Sequence, residues 1–241
     1  MRLGFVHACE QNHVLLSTVG GGSVVQLESG KAVTSPLDPV FVYNFVFGVR
    51  RALDMDGAAR AFRAAGRDYV HVLASPSSHR GLPEALDGLG FRQVETQSYR
   101  WAPGTEAGAP GLLELGPDRH DEFLEVYHSA WGLADPSPRD EVMRRRLADA
   151  RSRAYRSADG KGVFLLFAAG STTQLAHLGV TADAQGQGLG RRMLKLASGL
   201  VSRGRPLWLF TERGGAGDRS ADAAGFQLAY TADDWMLDLP A

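Results

Sequence analysis

The sequence predicts an α/β protein built from two similar halves. Short apolar runs typical of strands alternate with stretches whose apolar residues recur at helical spacing, and glycine or proline often separates them. The order of these elements in the second half of the chain also resembles the order in the first half. With 241 residues, 44% of them hydrophobic, the chain can bury a core large enough to need no metal or disulfide.

The first half, residues 1–102, is predicted to begin with strands. Apolar runs predict three of them, at Ser23 to Leu27, Ala32 to Thr34 and Phe41 to Val49. Asp56 is a candidate N-cap for a helix through Phe62. The next strand is predicted at Tyr69 to Leu73.

Residues 103–111 contain only proline, glycine, threonine, glutamate and alanine, a composition that favours a linker. The second half, residues 112–241, is therefore predicted to be a domain of its own. Helical spacing of apolar residues predicts two helices at its start, at Asp118 to Trp131 and Arg139 to Ala150.

A strand pair is predicted next, at Gly162 to Ala168 and Thr173 to Val180. After a glycine loop, apolar residues from Leu189 to Val201 share one face of a predicted helix that Gly204 ends. A short buried strand at Leu207 to Phe210, a helix of small residues up to Gly225 and a final pair of strands complete the prediction.

The tails of the two halves match in order. Each contains a glycine-arginine pair, a strand, a short helix, a glycine-phenylalanine pair and a closing strand. The pairs are Gly66-Arg67 with Gly90-Phe91 in the first half and Gly204-Arg205 with Gly225-Phe226 in the second. We therefore expect one fold to occur twice.

Composition narrows the classes of function. The net charge of -1 and the scattered arginines make no basic stripe, so a nucleic-acid partner is not expected. No apolar stretch has the length of a membrane span, and an N-terminal segment with Glu10 and His13 is unlike a signal peptide. The single cysteine, Cys9, is typical of a reducing compartment, and we expect a cytoplasmic protein without a membrane partner or a metal.

The loop from Gln185 to Gly190 is the strongest functional signal. A strand, a glycine-rich turn and a helix N-terminus present free backbone N–H groups, and the helix dipole adds about half a positive charge there. Such a loop binds a phosphate or pyrophosphate. Arg191 and Arg192, which oppose the dipole, are best explained as facing an anionic ligand.

Two other glycine loops are excluded. A Walker phosphate loop needs Lys and then Ser or Thr after its last glycine, where this chain has Arg191 and Arg192. A dinucleotide-binding loop needs its third glycine or alanine at the position of Arg191, and an acidic residue about twenty positions further on.

Gln185-x-x-Gly188-x-Gly190, preceded by Leu178-Gly179-Val180-Thr181, resembles the coenzyme A signature of the GNAT acetyltransferase superfamily. The resemblance covers the second half of the chain. It implies a GNAT acyltransferase fold, a mixed and mostly antiparallel sheet flanked by helices, here in a tandem form with a degenerate first copy. It also implies an acyl-coenzyme A co-substrate, acetyl-coenzyme A first.

The resemblance implies roles for particular backbone groups. The strand at Leu178, Gly179 and Val180 would pair with the pantetheine arm, and the thioester carbonyl would lie near the N–H of Leu178. The pyrophosphate would be held by the N–H groups of Gln185, Gly186, Gln187, Gly188, Leu189, Gly190 and Arg191. The acyl group would pass directly to an amine without a covalent enzyme intermediate.

Both proton-transfer positions of the family are changed in this chain. Gln174 stands where the family often has Glu, and Ala221 where it often has Tyr. Substitutes are His177, Glu212 and Ser220, although alternation along a strand predicts that His177 faces away from Gln174 and is a packing residue. The catalytic residues therefore stay open.

The first copy has Val49-Arg50-Arg51-Ala52-Leu53 where a glycine loop would be needed, so we expect it not to bind coenzyme A in the family manner. We expect an N-acyltransferase for a primary amine on a small molecule. The alternatives are a non-catalytic acyl-coenzyme A sensor and an enzyme that acylates a protein or peptide amine. The acceptor, the acyl chain and the oligomeric state stay open.

Overall fold

The computed structural model describes residues 3–133, 137 and 139–240. The first half contains α1 (Leu3–Val19), β1 (Ser23–Gln26), β2 (Lys31–Thr34), β3 (Phe45–Phe47), α2 (Met55–Ala64), β4 (Tyr69–Ala74), α3 (Leu82–Gly88) and β5 (Arg92–Pro103). The second half contains β6 (Leu112–Leu115), α4 (His120–Trp131), α5 (Asp140–Ala148), β7 (Ser152–Ser157), β8 (Gly162–Ala169), β9 (Thr172–Val180), α6 (Leu189–Ala197), β10 (Pro206–Glu212), α7 (Ala216–Ala223) and β11 (Gln227–Asp238).

The strands form one 11-stranded sheet in the order β1-β2-β3-β4-β11-β5-β10-β9-β8-β7-β6. Among the described strands, the parallel pairs are β3 with β4 and β9 with β10, and every other pair is antiparallel. The prediction of a mixed, mostly antiparallel sheet flanked by helices is confirmed. Each half contains one parallel strand pair joined through a helix, α2 in the first and α6 in the second.

The last strands of the two halves are interleaved. Strand β11, from the end of the chain, lies between β4 and β5, and β5 lies between β11 and β10. Residues of the first half on β5 therefore lie directly beside residues of the second half on β10. The predicted linker at 103–111 begins at the last residue of β5 and ends directly before β6, and the division into domains stays a prediction.

Several elements differ from the prediction. The predicted strand at Phe41 to Val49 begins instead with a 3₁₀ turn at Phe41–Tyr43. The amide of Asn44 causes this turn, because it donates to the carbonyl oxygens of Asp38 and Val40 and so closes the chain back on itself. The expected final pair of strands is the single strand β11, which is long because it has a partner on both edges.

Helix α1 was not predicted from the sequence. Its buried residues include Glu10, Asn12 and His13 as well as Val6 and Leu16, so its apolar residues alone do not mark the inward face. The short strands β6 and β7 were also missed, and β7 contains two arginines and two serines among its six residues. Among the described helices, none has the combination of length and hydropathy that spans a bilayer.

Candidate functional site

The parallel strands β9 and β10 separate at the centre of the sheet. Within the described residues they pair at Thr173 and Gln174 of β9, opposite Leu207 and Trp208 of β10. Strand β9 continues to Val180 and β10 to Glu212 without further pairing between them. The edge of β9 that faces β10 therefore presents unpaired backbone groups to a cleft, an arrangement that can receive an extended ligand as an added strand.

A β-bulge on β9 accompanies this separation. Val163 of β8 pairs with Gly179 and Leu165 pairs with Ala176, so His177 and Leu178 together oppose a single residue. His177 has φ of 54°, in the left-handed region. The bulge corrects the sequence prediction for His177: its ring contacts Tyr43 and Tyr127, on the face of the sheet where Gln174 also points.

The glycine loop connects β9 to α6 and begins with a 3₁₀ turn at Ala182–Ala184. Gly186 and Gly188 have φ of 75° and 76°, and Gly188 is the N-cap of α6 without a side-chain cap hydrogen bond. Both glycines are required by this backbone, because a side chain strains the left-handed conformation. The N–H groups in the first turn of α6 are left for a ligand.

Side chains hold the loop from outside. The amide of Gln185 donates to the carbonyl oxygens of Val180 at 3.0 Å and Ala130 at 3.3 Å, which ties the loop to the end of β9 and to α4. The amide of Gln187 donates to the carbonyl oxygen of Asp183 at 2.7 Å. The loop is therefore preorganised by its own glutamines.

A cleft of about 480 Å³ begins where β9 and β10 separate. Its wall on the second half comes from α4, β9, β10, α6 and the start of α7, and includes Leu178, His177 and Glu212. Its wall on the first half comes from residues 40–43 and from β5, and includes Glu95. The cleft therefore lies between the two halves and contains two of the three predicted catalytic candidates.

Another cavity, of about 800 Å³, lies in the first half between α1, β1 and the residues after β3. It is larger, and its lining includes Glu10, Lys31, Arg50 and Arg51. We assign the candidate site to the smaller cleft because it is lined by His177 and Leu178 of β9, the strand that leads into the glycine loop, and because it contains groups with shifted pKa values.

Solved structures with this architecture include GNAT acetyltransferases. A GCN5-related N-acetyltransferase from Kribbella flavida is 19% identical, with 91% of each chain covered and a TM-score of 0.62. A tandem GNAT protein from the clavulanic acid biosynthesis pathway is 18% identical, with 91% of this chain and 79% of that chain covered and a TM-score of 0.57. No family model and no curated protein sequence matches the chain.

The protein has the GNAT fold. A GCN5-related N-acetyltransferase from Sphaerobacter thermophilus has it too, at 14% identity and a TM-score of 0.59 over 90% of this chain and 83% of that one. The match with the tandem GNAT protein covers 91% of this chain, so the structural similarity extends over both halves. The resemblance inferred from the loop is confirmed at the level of the fold.

The residues around the glycine loop fit an acyl-coenzyme A. The loop offers uncapped N–H groups at the start of α6, and β9 offers a backbone edge. Arg191 and Arg192 are exposed beside the loop, and Arg191 has no ion pair with another described residue. The separate requirements of a pyrophosphate and an amide-bearing arm are therefore met by adjoining groups.

A buried charge cluster supports the cleft wall on the side of His177. The guanidinium of Arg146 lies 2.9 Å from Oδ2 of Asp38, and both side chains are fully buried. It also stacks on the ring of Tyr43, 3.9 Å from its centroid. Arg139 lies 3.7 Å from the other oxygen of Asp38 and over the ring of Tyr127. The cluster joins the loop before β3 to helix α5.

Burial and this cluster together set the charge of His177. Burial, with Arg146 and Arg139 nearby, lowers the pKa of His177 well below its ordinary value, so the imidazole is neutral. Its Nε2 lies 3.4 Å from Nη1 of Arg146 and 3.4 Å from the hydroxyl of Tyr43. Burial also raises the pKa of Tyr127 to about 12. A neutral, already bonded imidazole is better suited to shaping the cleft than to accepting a proton.

Glu95 is a site residue that the sequence did not reveal. It lies on β5 and accepts a hydrogen bond of 2.6 Å from the amide of Gln97. Burial, Asp234 and Glu212 raise its pKa, in that order of effect. Nothing near Glu95 in the sequence marks it, because it reaches the cleft through the pairing of β5 with β10.

The remaining predicted positions lie outside the cleft lining. Ser220 is on α7, of which only the first two residues, Ala216 and Gly217, line the cleft. Ala221 is fully buried in the apolar core beside α6. Gln174 is also fully buried, and its side-chain amide has no hydrogen-bond partner among the described residues. The roles of His177, Glu212 and Ser220 stay predictions.

Proposed function

We propose that the protein is an acyl-coenzyme A-dependent N-acyltransferase that acts in the cytoplasm on a primary amine of a small molecule. The single observation that carries the proposal is the cleft at the separation of β9 and β10, which is lined by the strand that leads into the glycine loop and by the carboxylates of Glu95 and Glu212. Bound acyl-coenzyme A, with acetyl-coenzyme A as the first candidate, would supply the acyl group as a reactive thioester.

In this proposal the chain's own residues bind and orient the two substrates. The N–H groups from Gln185 to Arg191 hold the pyrophosphate, and the edge of β9 near Leu178 and Val180 holds the pantetheine arm. The acceptor enters from the first half, between residues 40–43 and β5. Orientation of two bound reactants supplies much of the rate enhancement in direct transfer.

Calorimetric titration with acetyl-coenzyme A, followed by a free-thiol release assay over a panel of amines, tests the proposal. Binding together with release that depends on an amine is the expected result. If acetyl-coenzyme A does not bind to the full chain, the assignment of the loop is wrong and so is the proposal.

A second candidate function is a non-catalytic acyl-coenzyme A sensor. The observation that favours it is that Gln174 and Ala221, which occupy the usual positions of the family base and acid, are both buried and unable to exchange a proton. Tight binding of acetyl-coenzyme A without thiol release over the whole amine panel would select this function.

A third candidate is acylation of a protein or peptide amine. The cleft is open to solvent at the end where Glu212 is exposed, which leaves room for a chain terminus. Thiol release with peptides but not with free amines of the same end group would select this function over the small-molecule reaction.

A further inference from the structure

The larger cavity, of about 800 Å³, has a floor made by the first strands of the sheet. Lys31 of β2 is paired with Gln26 of β1 and with Phe47 of β3. Val24 lies two residues before Gln26 on β1. Residues paired across antiparallel strands, and residues two apart along one strand, point to the same face of a sheet. These four side chains therefore form one surface, and all four line the cavity.

Helix α1 forms the opposite wall. Its side chains in the cavity are those of His7, Glu10, Gln11, Val14 and Leu15. Spacings of three and four residues put these side chains on one face of the helix. Leu15 is 36% exposed although this face is turned to the strands. The helix and the strands therefore enclose an open space here instead of packing against each other.

Glu10 is a buried carboxylate in this cavity, with 4% of its surface exposed. Its Oε1 accepts hydrogen bonds from the hydroxyls of Ser75 and Ser77, which follow β4. Within the part of the chain that the structure describes, its Oε2 has no hydrogen-bond partner and no cation pairs with it. A buried carboxylate without a counter-charge is unfavourable, and a positively charged group in the cavity would stabilise it.

The other end of the cavity is cationic. Lys31, Arg50 and Arg51 line it, and none of the three forms an ion pair with another described residue. The hydroxyl of Ser29, in the turn between β1 and β2, accepts from the backbone N–H groups of both arginines at 3.0 Å. This turn therefore fixes the position of the arginines. Three cations against the carboxylate of Glu28 leave an excess of positive charge at this end.

Two strand spacings separate the anionic end from the cationic end. Lys31 is on β2 and Ser75 follows β4, with β3 between these strands. At about 4.7–4.9 Å per strand, the two ends are roughly 10 Å apart. Phe47 of β3 lies between them, and Val14 and Leu15 add further apolar lining. A ligand that joins both ends therefore carries a positive and a negative group about 10 Å apart on an apolar body.

We infer that this cavity binds a zwitterion of that length, the class to which a short peptide with two free termini belongs. Its ammonium group lies at Glu10, and its carboxylate lies at Lys31, Arg50 and Arg51. An extended peptide of three residues spans about 10 Å, at roughly 3.3–3.6 Å per residue, whereas a single amino acid is too short to reach both ends. The site shares no lining residue with the cleft between β9 and β10 and does not depend on the proposed acyl transfer.

A ligand with one charge satisfies only one end of the cavity. An acid without an amino group would leave Glu10 without a counter-charge. An amine without an acid would meet the excess positive charge at Arg50 and Arg51. The apolar lining favours a body with aliphatic side chains. The cavity is therefore selective for a molecule that carries both charges.

Trileucine tests the inference, together with two blocked peptides of the same length. N-acetyl-trileucine lacks the ammonium group, and trileucine amide lacks the carboxylate. Calorimetric titration of each peptide into the full chain measures its dissociation constant. The same titrations are made with Glu10→Gln and with the double variant Arg50→Gln, Arg51→Gln. Arg60→Gln, an exposed change on α2 outside the cavity lining, is the matched control.

We expect trileucine to bind about tenfold more tightly than either blocked peptide, the effect of roughly one charge pair. Glu10→Gln keeps an oxygen that accepts from Ser75 and Ser77. This variant should weaken trileucine about tenfold and leave N-acetyl-trileucine unchanged. The double arginine variant should weaken trileucine by a similar factor and leave trileucine amide unchanged. Arg60→Gln should bind all three peptides as the parent does.

Equal affinities of trileucine and either blocked peptide would overturn the inference, as would the absence of trileucine binding at millimolar concentration. An unchanged trileucine affinity in the double arginine variant would overturn it as well. Arg50 and Arg51 are exposed, so this variant gives a decisive result even where Glu10→Gln is unstable. Acetyl-coenzyme A should bind every variant as it binds the parent, because the altered residues lie outside the glycine loop and the cleft.

Discussion

Arg146 of α5 and Asp38 of the loop before β3 form an ion pair of 2.9 Å in which both side chains are fully buried. The pair joins the second half of the chain to the first beside the cleft. Nε of Arg146 donates in addition to the carbonyl oxygen of Leu16, at the inner side of α1. A buried pair of this kind fixes the arrangement of its partners, because either charge alone would be costly in that environment.

Asp38→Asn should destabilise the protein by about 3–5 kcal/mol, because it leaves the buried guanidinium of Arg146 without a counter-charge. Urea denaturation at neutral pH measures the loss. Asp87→Asn, an exposed change on α3, should stay within about 0.5 kcal/mol of the parent. A loss for Asp38→Asn no larger than that of the control would contradict the proposed role of the pair.

Gly188→Val should weaken acetyl-coenzyme A binding on the order of a hundredfold, about 2.7 kcal/mol. The valine side chain would strain a backbone with φ of 76° and stand over the N–H groups that start α6. Gly204→Val is the matched control, since Gly204 has φ of 80°, open space around it and no place in the loop. Calorimetry should find equal affinities in the control and the parent.

Gln185→Ala should weaken acetyl-coenzyme A binding by about fivefold to tenfold without changing the fold. The change removes the hydrogen bonds to Val180 and Ala130 that tie the loop to β9 and α4, each worth about 0.5–1.5 kcal/mol. Gln187→Ala is the comparison, because its bond to Asp183 stays within the turn and the expected loss is smaller. If Gln187→Ala lowered the affinity for acetyl-coenzyme A more than Gln185→Ala, the hydrogen bond of Gln187 would be the one that holds the loop in place.

His13→Phe should make the protein more tolerant of acid. Burial, aided by the nearby positive charge of Arg146, lowers the pKa of His13 to about 3 from an ordinary 6.5. Between these values the unfolded chain binds a proton that the folded protein does not, so stability falls as pH drops, by about 1.4 kcal/mol per unit. Above pH 6.5 the contribution is fully retained.

Phenylalanine suits this position because His13 already stacks between Phe45 and Phe210, with ring centroids at 4.7 and 4.8 Å. Urea denaturation at pH 7 and pH 5 measures the difference. The parent should lose about 2 kcal/mol more than His13→Phe over this interval. Equal losses in the two proteins would mean that His13 does not remain neutral in the folded state.

Local sequence patterns predicted the conformation of the glycine loop and of the elements on either side of it. The glycines at 186 and 188 adopt positive φ, and the helix expected after them begins at Leu189. The strand expected before them ends at Val180. These features were predictable because the turn and the helix start depend on the conformational preferences of a few consecutive residues.

The rest of the cleft depends on contacts between distant residues. The bulge that turns His177 towards Tyr43 arises because two residues of β9 lie opposite one residue of β8. Alternation along β9 alone predicted that His177 would lie on the opposite face of the sheet. Helix α1 escaped prediction because its inward face includes Glu10 and His13, whose partners lie on other elements.

By itself, the sequence determined the α/β class, the repeated order of elements and the glycine loop, since each is written in the spacing of neighbouring residues. Only the tertiary structure decided which acidic residues meet in the cleft where β9 and β10 separate. Glu95 and Glu212 share a cleft because β5 of the first half pairs with β10 of the second half. Strand pairing over such separations is selected by the packing of the whole sheet, which no local pattern encodes.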